Sequence, residues 1–288
     1  MISIIIPVYN DINRLYLCLD SILKNSYKTY EILVIDNDSV PPVNLDPYKN
    51  DARVRLLQEK KPGSYAARNT GIIHATGDTI GFTDSDCIVE PDWIENALLA
   101  IQSFPDVGFV GGRIRMYAQN IKALNAIEKY ELYHSLNQEK YVKHANFAAT
   151  ANMWTRRCVI EKVGVFNSKL MSSGDKEWGN RVVNAGYEGI YISNVIVNHP
   201  VRSNIHDFKI KNFRVGGGFY DISSSKIEVP QNLYKLIIIG KHRIKNVFSC
   251  KKLTLNEKTG IIFIIILERI YTIYGFMRRL FTNKQYRQ

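Results

Sequence analysis

Two apolar runs, Ile2-Ser-Ile-Ile-Ile6 and Glu31-Ile-Leu-Val-Ile35, decide the fold class of this chain. Both are rich in β-branched residues, the pattern of parallel strands that are buried on both faces. Pro7 is expected to end the first strand. Between the runs, apolar residues recur at helical spacing at Ile12, Leu15, Leu19, Ile22 and Leu23. Strand, helix and strand in this order predict a βαβ unit within a parallel sheet.

The same patterns continue for most of the next 160 or so residues. Further strands are predicted at 54–57, 79–83, 108–116 and 189–197. Helices are predicted at 63–75, 91–101, 121–140 and 176–185. This alternation predicts an α/β fold with a Rossmann-like, mixed and mostly parallel sheet flanked by helices.

The positive charge of the chain is concentrated in its last 60 residues. The whole chain has a net charge of +11, and residues 229–288 contain 12 Lys or Arg against 2 Asp or Glu. We therefore expect a domain at 1–228 and a helical, basic extension at 229–288. The extension is also apolar at 260–267, but Glu268 and Arg269 interrupt that run before the roughly 20 residues of a spanning helix.

A basic extension favours a polyanionic partner, either a nucleic acid or the anionic surface of a membrane. Because its basic residues alternate with Ile, Leu and Phe, the membrane surface suits it better. No nucleic-acid partner is expected. The four cysteines are scattered without a CxxC pair, which suits a reducing compartment, and residues 1–7 lack the basic region of a signal peptide. The expected location is cytoplasmic and peripheral on the inner face of the cell membrane.

Polar residues follow three of the predicted strands. Tyr9 and Asn10 follow the first strand, Asp36 ends the second with Asp38 close behind, and Asp84-Ser85-Asp86 follows the strand at 79–83. In an open parallel sheet, ligands bind beyond the carboxyl ends of the strands. These residues are therefore candidates for one ligand site.

The Asp84-Ser85-Asp86 triplet has the spacing of a cation site. Two carboxylates one residue apart on a turn can both face a hard divalent cation that bridges to a diphosphate. A solvated turn is the alternative for an isolated Asp-x-Asp, but the preceding strand and the other acidic loops favour the cation site. His199 is a candidate third ligand, with a structural role as its alternative.

Two further groups carry polar chemistry near predicted helix starts. Arg68 can bind phosphate with its fork of donors, or it can be a surface arginine; Asn69 is beside it. Asp175 can act as a general base or cap its helix, with Glu177 as a second acid. Trp178 is a candidate platform for an acceptor sugar, and Arg181 could organise the two acids.

Several of these stretches together resemble the inverting family-2 glycosyltransferases with the GT-A fold. They are Ser-Ile-Ile-Ile-Pro-Val-Tyr-Asn from Ser3, Glu-Ile-Leu-Val-Ile-Asp-Asn-Asp-Ser from Glu31, Ala-Ala-Arg-Asn-Thr-Gly from Ala66, Phe-Thr-Asp-Ser-Asp-Cys from Phe82 and Gly-Asp-Lys-Glu-Trp-Gly-Asn-Arg from Gly174. The likeness covers roughly residues 1–200. It is specific for the family and not for one substrate.

The resemblance implies a role for each matching residue. Pro7, Tyr9 and Asn10 would line the nucleoside pocket, and Asp36 would read the base, for which it can accept the N–H of uracil. Arg68 would lie near the donor phosphates, and Asp38, Asn69 and Ser85 are further candidates for binding the nucleotide sugar. The metal would be held by Asp86, Asp84 and, as in some members, His199. Asp175 would be the catalytic base, with Glu177 in reserve and Arg181 behind it; Gly174 departs from the family by replacing a Glu.

The expected activity is a metal-dependent, inverting glycosyltransferase of the hexosyltransferase type that uses Mn²⁺ or Mg²⁺. Its donor would be a nucleotide-diphosphate sugar, by default a UDP-sugar. Its acceptor would be a saccharide or lipid-linked saccharide in cell-surface polysaccharide biosynthesis. The alternative is a catalytically inactive GT-A scaffold that binds nucleotide sugars, which the presence of Asp84, Asp86 and Asp175 disfavours.

Overall fold

The structure is a computed structural model that describes residues 1–134, 136–222 and 229–282. Its strands are β1 (Ile2–Val8), β2 (Tyr30–Asp36), β3 (Val54–Gln58), β4 (Thr79–Thr83), β5 (Ile88–Val89), β6 (Val107–Tyr117), β7 (Asn152–Arg156) and β8 (Glu188–Pro200). Its helices are α1 (Ile12–Leu23), α2 (Ser64–His74), α3 (Trp93–Ser103), α4 (Ala126–Tyr133), α5 (Gln138–Ala145), α6 (Arg157–Val163), α7 (Gly174–Asn184), α8 (Ile205–Asp221), α9 (Val229–Ser249) and α10 (Leu255–Thr282).

Within the described residues, the strands form one mixed sheet in the order β3-β2-β1-β4-β7-β6-β8-β5. The pairs β3–β2, β2–β1 and β1–β4 are parallel, while β4–β7, β6–β7 and β5–β8 are antiparallel. β1 and β2 are buried along their whole length, as their apolar runs predict. The prediction of an α/β fold with a mixed sheet flanked by helices is confirmed.

Besides β5, β7 and α6, which were not predicted, the structure differs from the predicted elements at three places. β1 continues through Pro7 to Val8; its pairing with β4 ends at Ile5, so Pro7 has a strand neighbour on one side only and its missing N–H is tolerated. The helix predicted at 121–140 is two helices, α4 and α5, because Asn125 and Asn137 each cap a separate start. The third difference is α8, which the residue pattern did not predict.

The chain divides into two compact units. The first comprises Met1–Arg115, Leu136–Lys169 and Gly174–His199; the second comprises Met116–Ser135, Leu170–Ser173 and Pro200–Gln288. The predicted boundary between residues 228 and 229 adjoins residues 223–228, which lie outside the described residues, and it stays a prediction.

The second unit is built around α10, which packs against α4, α8 and α9. Its core contains Ile127, Tyr130, Phe208, Val247, Ile261, Ile264 and Ile265. The helix α10 includes Glu268 and Arg269, the charges that were predicted to interrupt its apolar run. Glu268 is buried and forms ion pairs with Arg269 and, at 3.3 Å, with Arg243 of α9, so the helix accommodates both charges.

By length and composition alone, α10 is apolar enough to cross a membrane, although 39% of its most apolar 18-residue window is buried within the protein. A core helix of a soluble protein meets the same criterion, so this is weak support for spanning. A C-terminal apolar helix, as expected for the extension, is present.

Candidate active site

The loops after β1 and β2 are joined to each other at the carboxyl edge of the sheet. The backbone N–H of Asn10 donates to Ser39 Oγ at 2.9 Å, and the N–H of Val40 donates to Asn10 Oδ1 at 2.8 Å. Asn10 and Asp38 have φ angles of 52° and 65°, a left-handed conformation that Asn and Asp adopt more readily than most residues. The predicted nucleoside-binding residues thus lie in a cross-linked pair of loops, with Pro7 buried beneath them and Tyr9 partly exposed.

Asp36 is buried at the end of β2 and fixes the loop that follows. Its Oδ1 accepts the N–H of Ser39 at 3.0 Å, and its Oδ2 accepts the N–H of Val43 at 3.1 Å. A carboxylate oxygen can accept more than one hydrogen bond, so these bonds leave capacity on each oxygen. The structure therefore gives Asp36 a loop-fixing role, and its reading of a base stays a prediction.

The two carboxylates of the acidic triplet have different neighbours. Asp84 Oδ1 lies 2.5 Å from a terminal nitrogen of Arg68. Asp86 lies 3.7 Å from His199 Nε2 through one oxygen and 3.6 Å from Arg14 through the other. Ser85, between them, is buried. The triplet thus divides into one acid that faces α2 and one that faces α1 and β8.

Strand pairing explains why Asp86 and His199 meet. β5 follows the triplet directly and pairs with β8 so that Ile88 lies opposite Asn198. Continued by one residue, this antiparallel register places Cys87 beside His199. Ligand atoms of Asp86, Cys87 and His199 all lie within 4.8 Å of one another, close enough to hold one metal ion.

The chemistry of this group favours Asp86 and His199 as the useful ligands. Burial, together with the negative charges of Asp86 and Asp84, raises the pKa of the Cys87 thiol well above its ordinary value. Thiolate sulfur is a soft ligand that suits zinc or copper(I), whereas hard cations such as Mn²⁺ and Mg²⁺ prefer carboxylate oxygen. The residues present therefore fit Mn²⁺ or Mg²⁺, which suit oxygen ligands.

Arg68 is almost fully buried, with 3% of its surface exposed. Its guanidinium pairs with Asp84 and lies 5.6 Å from the centre of the Tyr65 ring. Its Nε is buried and has no hydrogen-bond partner among the residues that the structure describes. A buried donor without a partner is uncommon in a folded protein and is compatible with a ligand that supplies the acceptor.

Asp175 lies in the first turn of α7 and is partly buried. Its Oδ1 accepts the N–H of Lys176 at 2.9 Å and the hydroxyl of Tyr65 at 3.2 Å. Burial raises the pKa of the Asp175 carboxyl, and the charge of Asp84 adds to the rise, while these two hydrogen bonds and Arg68 oppose it. A carboxyl with a raised pKa is a better proton acceptor than an ordinary aspartate.

Three other predicted residues have structural partners instead. Glu177 pairs with Arg181 through both oxygens, at 2.7 and 3.1 Å, and Arg181 also donates to the carbonyls of Val163 and Val165. Asn69 binds the backbone of Phe166 through both ends of its amide, at 2.8 and 3.0 Å. These contacts hold the loop after α6 against α2 and α7.

Trp178 is a core residue rather than an acceptor platform. Its side chain has 0% exposure, its Nε1 donates to the carbonyl of Gly164 at 2.9 Å, and its ring packs against Phe109 and Phe166. A sugar can stack only on an exposed ring face. The residue pattern could not distinguish these outcomes, because an aromatic residue in an amphipathic helix suits both a core and a binding face.

Two residues of the site were missed by the sequence analysis. Tyr65 precedes Arg68 by three residues on α2, and helical spacing could have placed the two on one face. Arg14 lies in the first turn of α1, where it pairs with Asp11 at 2.7 Å as well as with Asp86. No sequence signal distinguishes Arg14 from an ordinary exposed arginine.

Comparison with known proteins identifies the family. The model of "Glycosyl transferase family 2" matches residues 3–164. The glycosyltransferase AglE of Haloferax volcanii is 35% identical over 228 residues, which cover 75% of this chain and 72% of AglE. The glycosyltransferase GlyA of Streptococcus pneumoniae is 32% identical over 145 residues, which cover 49% of this chain and 20% of GlyA. This chain therefore matches most of one relative and a small part of another.

Solved structures show the same fold at low sequence identity. The mannosyltransferase PcManGT of Pyrobaculum calidifontis, in complex with GDP-Man and Mn²⁺, superposes with a TM-score of 0.67 at 18% identity and covers 98% of this chain and 88% of its own. GalNAc-T7 with UDP, GalNAc and Mn²⁺ gives a TM-score of 0.55 at 16% identity, covering 70% of this chain and 43% of its own.

Fold and family define a glycosyltransferase that acts on a nucleotide sugar, and the mixed sheet is that of the GT-A fold. The chain belongs to glycosyl transferase family 2.

Proposed function

We propose that this chain transfers a hexose from a UDP-sugar to a hydroxyl of a saccharide or lipid-linked saccharide, with inversion at the anomeric carbon, during synthesis of a cell-surface polysaccharide. The observation that carries the proposal is the approach of Asp86 to His199, at 3.7 Å, in the first unit, which also contains the Arg68–Asp84 ion pair and Asp175. Relatives named as glycosyltransferases support the reaction class.

A divalent cation, Mn²⁺ or Mg²⁺, would be held by Asp86 and His199, with Asp84 as a further candidate ligand. Bound there, it would neutralise the negative charge that develops on the departing diphosphate. The buried Arg68, with its unpartnered Nε, would bind the same diphosphate. Two structural neighbours that contain Mn²⁺ together with GDP-Man or UDP are compatible with this assignment.

Asp175 would act as the general base. The acceptor hydroxyl gives its proton to the Asp175 carboxylate, its oxygen forms a bond to the anomeric carbon, and the bond from that carbon to the diphosphate breaks with its electron pair on the diphosphate oxygen. A single displacement of this kind inverts the anomeric configuration. The partial burial of Asp175 and its raised pKa support the assignment.

The test is a donor screen with the purified protein, Mn²⁺ or Mg²⁺ and a panel of UDP-, GDP- and dTDP-sugars, in which release of the nucleoside diphosphate and binding of each donor are both measured. We expect metal-dependent turnover of one donor. It should fall by at least about a hundredfold in Asp86→Ala and Asp175→Asn. Asp92→Ala, which removes an exposed acid outside the site, is the control.

An alternative outcome is that the folded, unmodified protein binds a donor and shows no turnover when acceptor is supplied. That result would support the alternative function, a catalytically inactive scaffold that binds nucleotide sugars. Turnover that does not depend on metal would overturn the cation site while leaving the reaction class intact.

We also propose that the second unit docks on the anionic cytoplasmic face of a membrane, where a lipid-linked acceptor would be found. On α10, the exposed residues Phe263, Ile266, Ile270 and Tyr274 are 46–59% exposed. At 3.6 residues per turn they fall within about 100° of arc, opposite the buried face of the helix. Exposed lysines at 235, 241, 245, 251 and 252 supply the complementary charge. Recovery of the protein with anionic vesicles measures this docking.

A further inference from the structure

Gly174 and Tyr65 are matched in shape. A Cβ atom placed on Gly174 would lie 2.7–2.9 Å from three carbons of the Tyr65 ring, closer than van der Waals contact allows. The ring is buried and lies 5.6 Å from the ring of Phe166. Because position 174 has no side chain, the Tyr65 ring occupies the space beside the first turn of α7.

This placement brings the Tyr65 hydroxyl to Asp175. The hydroxyl donates to Oδ1 at 3.2 Å, and the N–H of Lys176 donates to the same oxygen at 2.9 Å. Within the described part of the chain, Oδ2 accepts no hydrogen bond. One oxygen of the carboxylate is therefore anchored by two donors, and the other is available to accept a proton.

We propose that Tyr65 is a positioning residue for Asp175: it anchors Oδ1 so that Oδ2 takes the proton of the acceptor hydroxyl, and Gly174 provides the space that this arrangement needs. The inference rests on the proposed role of Asp175 as the base. Tyr65 gains and loses no proton in the step, since its hydroxyl remains a donor to Oδ1 throughout. The face of the Tyr65 ring also contacts the guanidinium of Arg68. The Tyr65 side chain therefore contacts both the proposed base, Asp175, and this buried arginine.

A purely structural role for Tyr65 is the competing explanation, because the ring is buried against Phe166. Tyr65→Phe distinguishes the positioning role from the purely structural role, since it keeps the ring and removes only the hydroxyl. The matched control is Tyr30→Phe: Tyr30 is equally buried in the first unit, and its hydroxyl donates to the carbonyl of Ile22 at 3.0 Å, at the opposite end of β2 from Asp36.

The experiment measures kcat, the donor KM and the pH dependence of kcat for both variants. In Tyr65→Phe we expect kcat to fall about tenfold, which is the effect of one hydrogen bond, with the donor KM within about twofold of the unmodified protein. The acidic limb of the pH profile should move to higher pH, because loss of a donor to the carboxylate raises its pKa. Other charged groups that act on Asp175, namely Arg68 and Asp84, are unchanged in this variant.

Tyr30→Phe should lower stability without moving the pH profile. A Tyr65→Phe protein with an unchanged profile and kcat would overturn the inference. A second measurement does not need turnover: the carboxyl carbon of Asp175, labelled with ¹³C and assigned with Asp175→Asn, is titrated by NMR in both proteins. An unchanged pKa in Tyr65→Phe would also overturn it. Full activity of Asp175→Asn would instead refute the proposed base, whatever the titration shows.

Discussion

At the residue scale, two chemically identical side chains of one triplet have separate surroundings. Asp84 faces a buried arginine, while Asp86 faces a histidine and a half-exposed arginine. Spacing could predict that both acids follow β4. It could not predict that Arg68 pairs with Asp84 while His199 lies beside Asp86, because these side chains reach the triplet through α2 and through the register of β5 with β8. The division favours Asp86 over Asp84 as the cation ligand.

Asp175 carries a prediction about pH. Its pKa is raised chiefly by burial, so the proton leaves only above the pH at which an exposed aspartate ionises. As the proposed base, Asp175 must be deprotonated to work. We therefore expect kcat to fall as the pH drops through this raised pKa, with the acidic limb at a higher pH than the ordinary aspartate value of 3.8. A pH profile of kcat at saturating donor and metal measures it.

The same raised pKa has a consequence for stability. A carboxyl whose pKa is higher in the folded state stabilises the fold below its unfolded pKa, and this contribution is lost as the pH rises. Because Asn cannot ionise, Asp175→Asn does not lose this stability as the pH rises. Its Tm should therefore exceed that of the unmodified protein at pH 7, and the difference should shrink toward pH 4. Equal melting temperatures at pH 7 would contradict the raised pKa.

Residue identity alone could not separate binding from structure at Glu177, Trp178 and Arg181. All three fall in one amphipathic helix, and each has chemistry that suits a sugar site. Their burial and partners arise from the loop at 163–166, whose carbonyls accept from Trp178 and Arg181. That loop has no sequence signal that links it to α7.

At the element scale, elements with a clear apolar pattern were predicted close to their observed bounds, while the short elements β5, β7 and α6 were not predicted. β4, which is buried throughout, was predicted at its observed bounds, because the short run at Thr79–Thr83 between Asp78 and Asp84 has the pattern of a buried strand. No helix was predicted at 205–221, which contains three consecutive glycines, residues that disfavour a helix. The packing of α8 against α10 overrides that preference.

The three glycines of α8 are not equivalent, which allows a prediction with an internal control. A Cβ on Gly216 would lie 2.0 Å from the carbonyl oxygen of Thr272 in α10, whereas a Cβ on Gly217 would meet only Arg279 Cβ at 3.9 Å. Gly216→Ala should therefore lower the free energy of unfolding by about 2 kcal/mol, because the two backbones must separate. Gly217→Ala should raise it by up to about 1 kcal/mol through helix propensity.

Denaturant unfolding followed by circular dichroism measures both variants. Equal effects of the two substitutions would show that α8 and α10 do not cross as closely as the structure has them.

At the scale of the whole molecule, charge and exposed apolar surface are distributed unevenly. Residues 1–228 contain 26 Lys or Arg against 25 Asp or Glu, so they are nearly neutral, while the remainder carries a net charge of +10. Half of the exposed large apolar side chains in the described residues, 10 of 20, belong to α9 and α10. Composition predicted this asymmetry, but it could not predict that α10 presents one apolar stripe and buries the opposite face, which depends on its packing with α4, α8 and α9.

This asymmetry gives a test of the proposed docking of the second unit on a membrane. A basic surface with an apolar stripe should bind vesicles that contain an anionic lipid, and added salt should weaken the attraction of the lysines but not the insertion of the stripe. The double substitution Ile266→Ser and Ile270→Ser should lower vesicle recovery by about tenfold, since two partly exposed side chains lose their apolar contact with lipid. Ile73→Ser with Leu99→Ser, which changes two exposed apolar residues of the first unit, is the matched control and should leave recovery unchanged.

The lysines carry a separate prediction. The variant Lys251→Gln with Lys252→Gln should show lower vesicle recovery at low salt, and its recovery should equal that of the unmodified protein at high salt. Recovery that is the same for all variants, or salt-sensitive binding to duplex DNA that exceeds binding to vesicles, would show that the basic second unit serves a different polyanion.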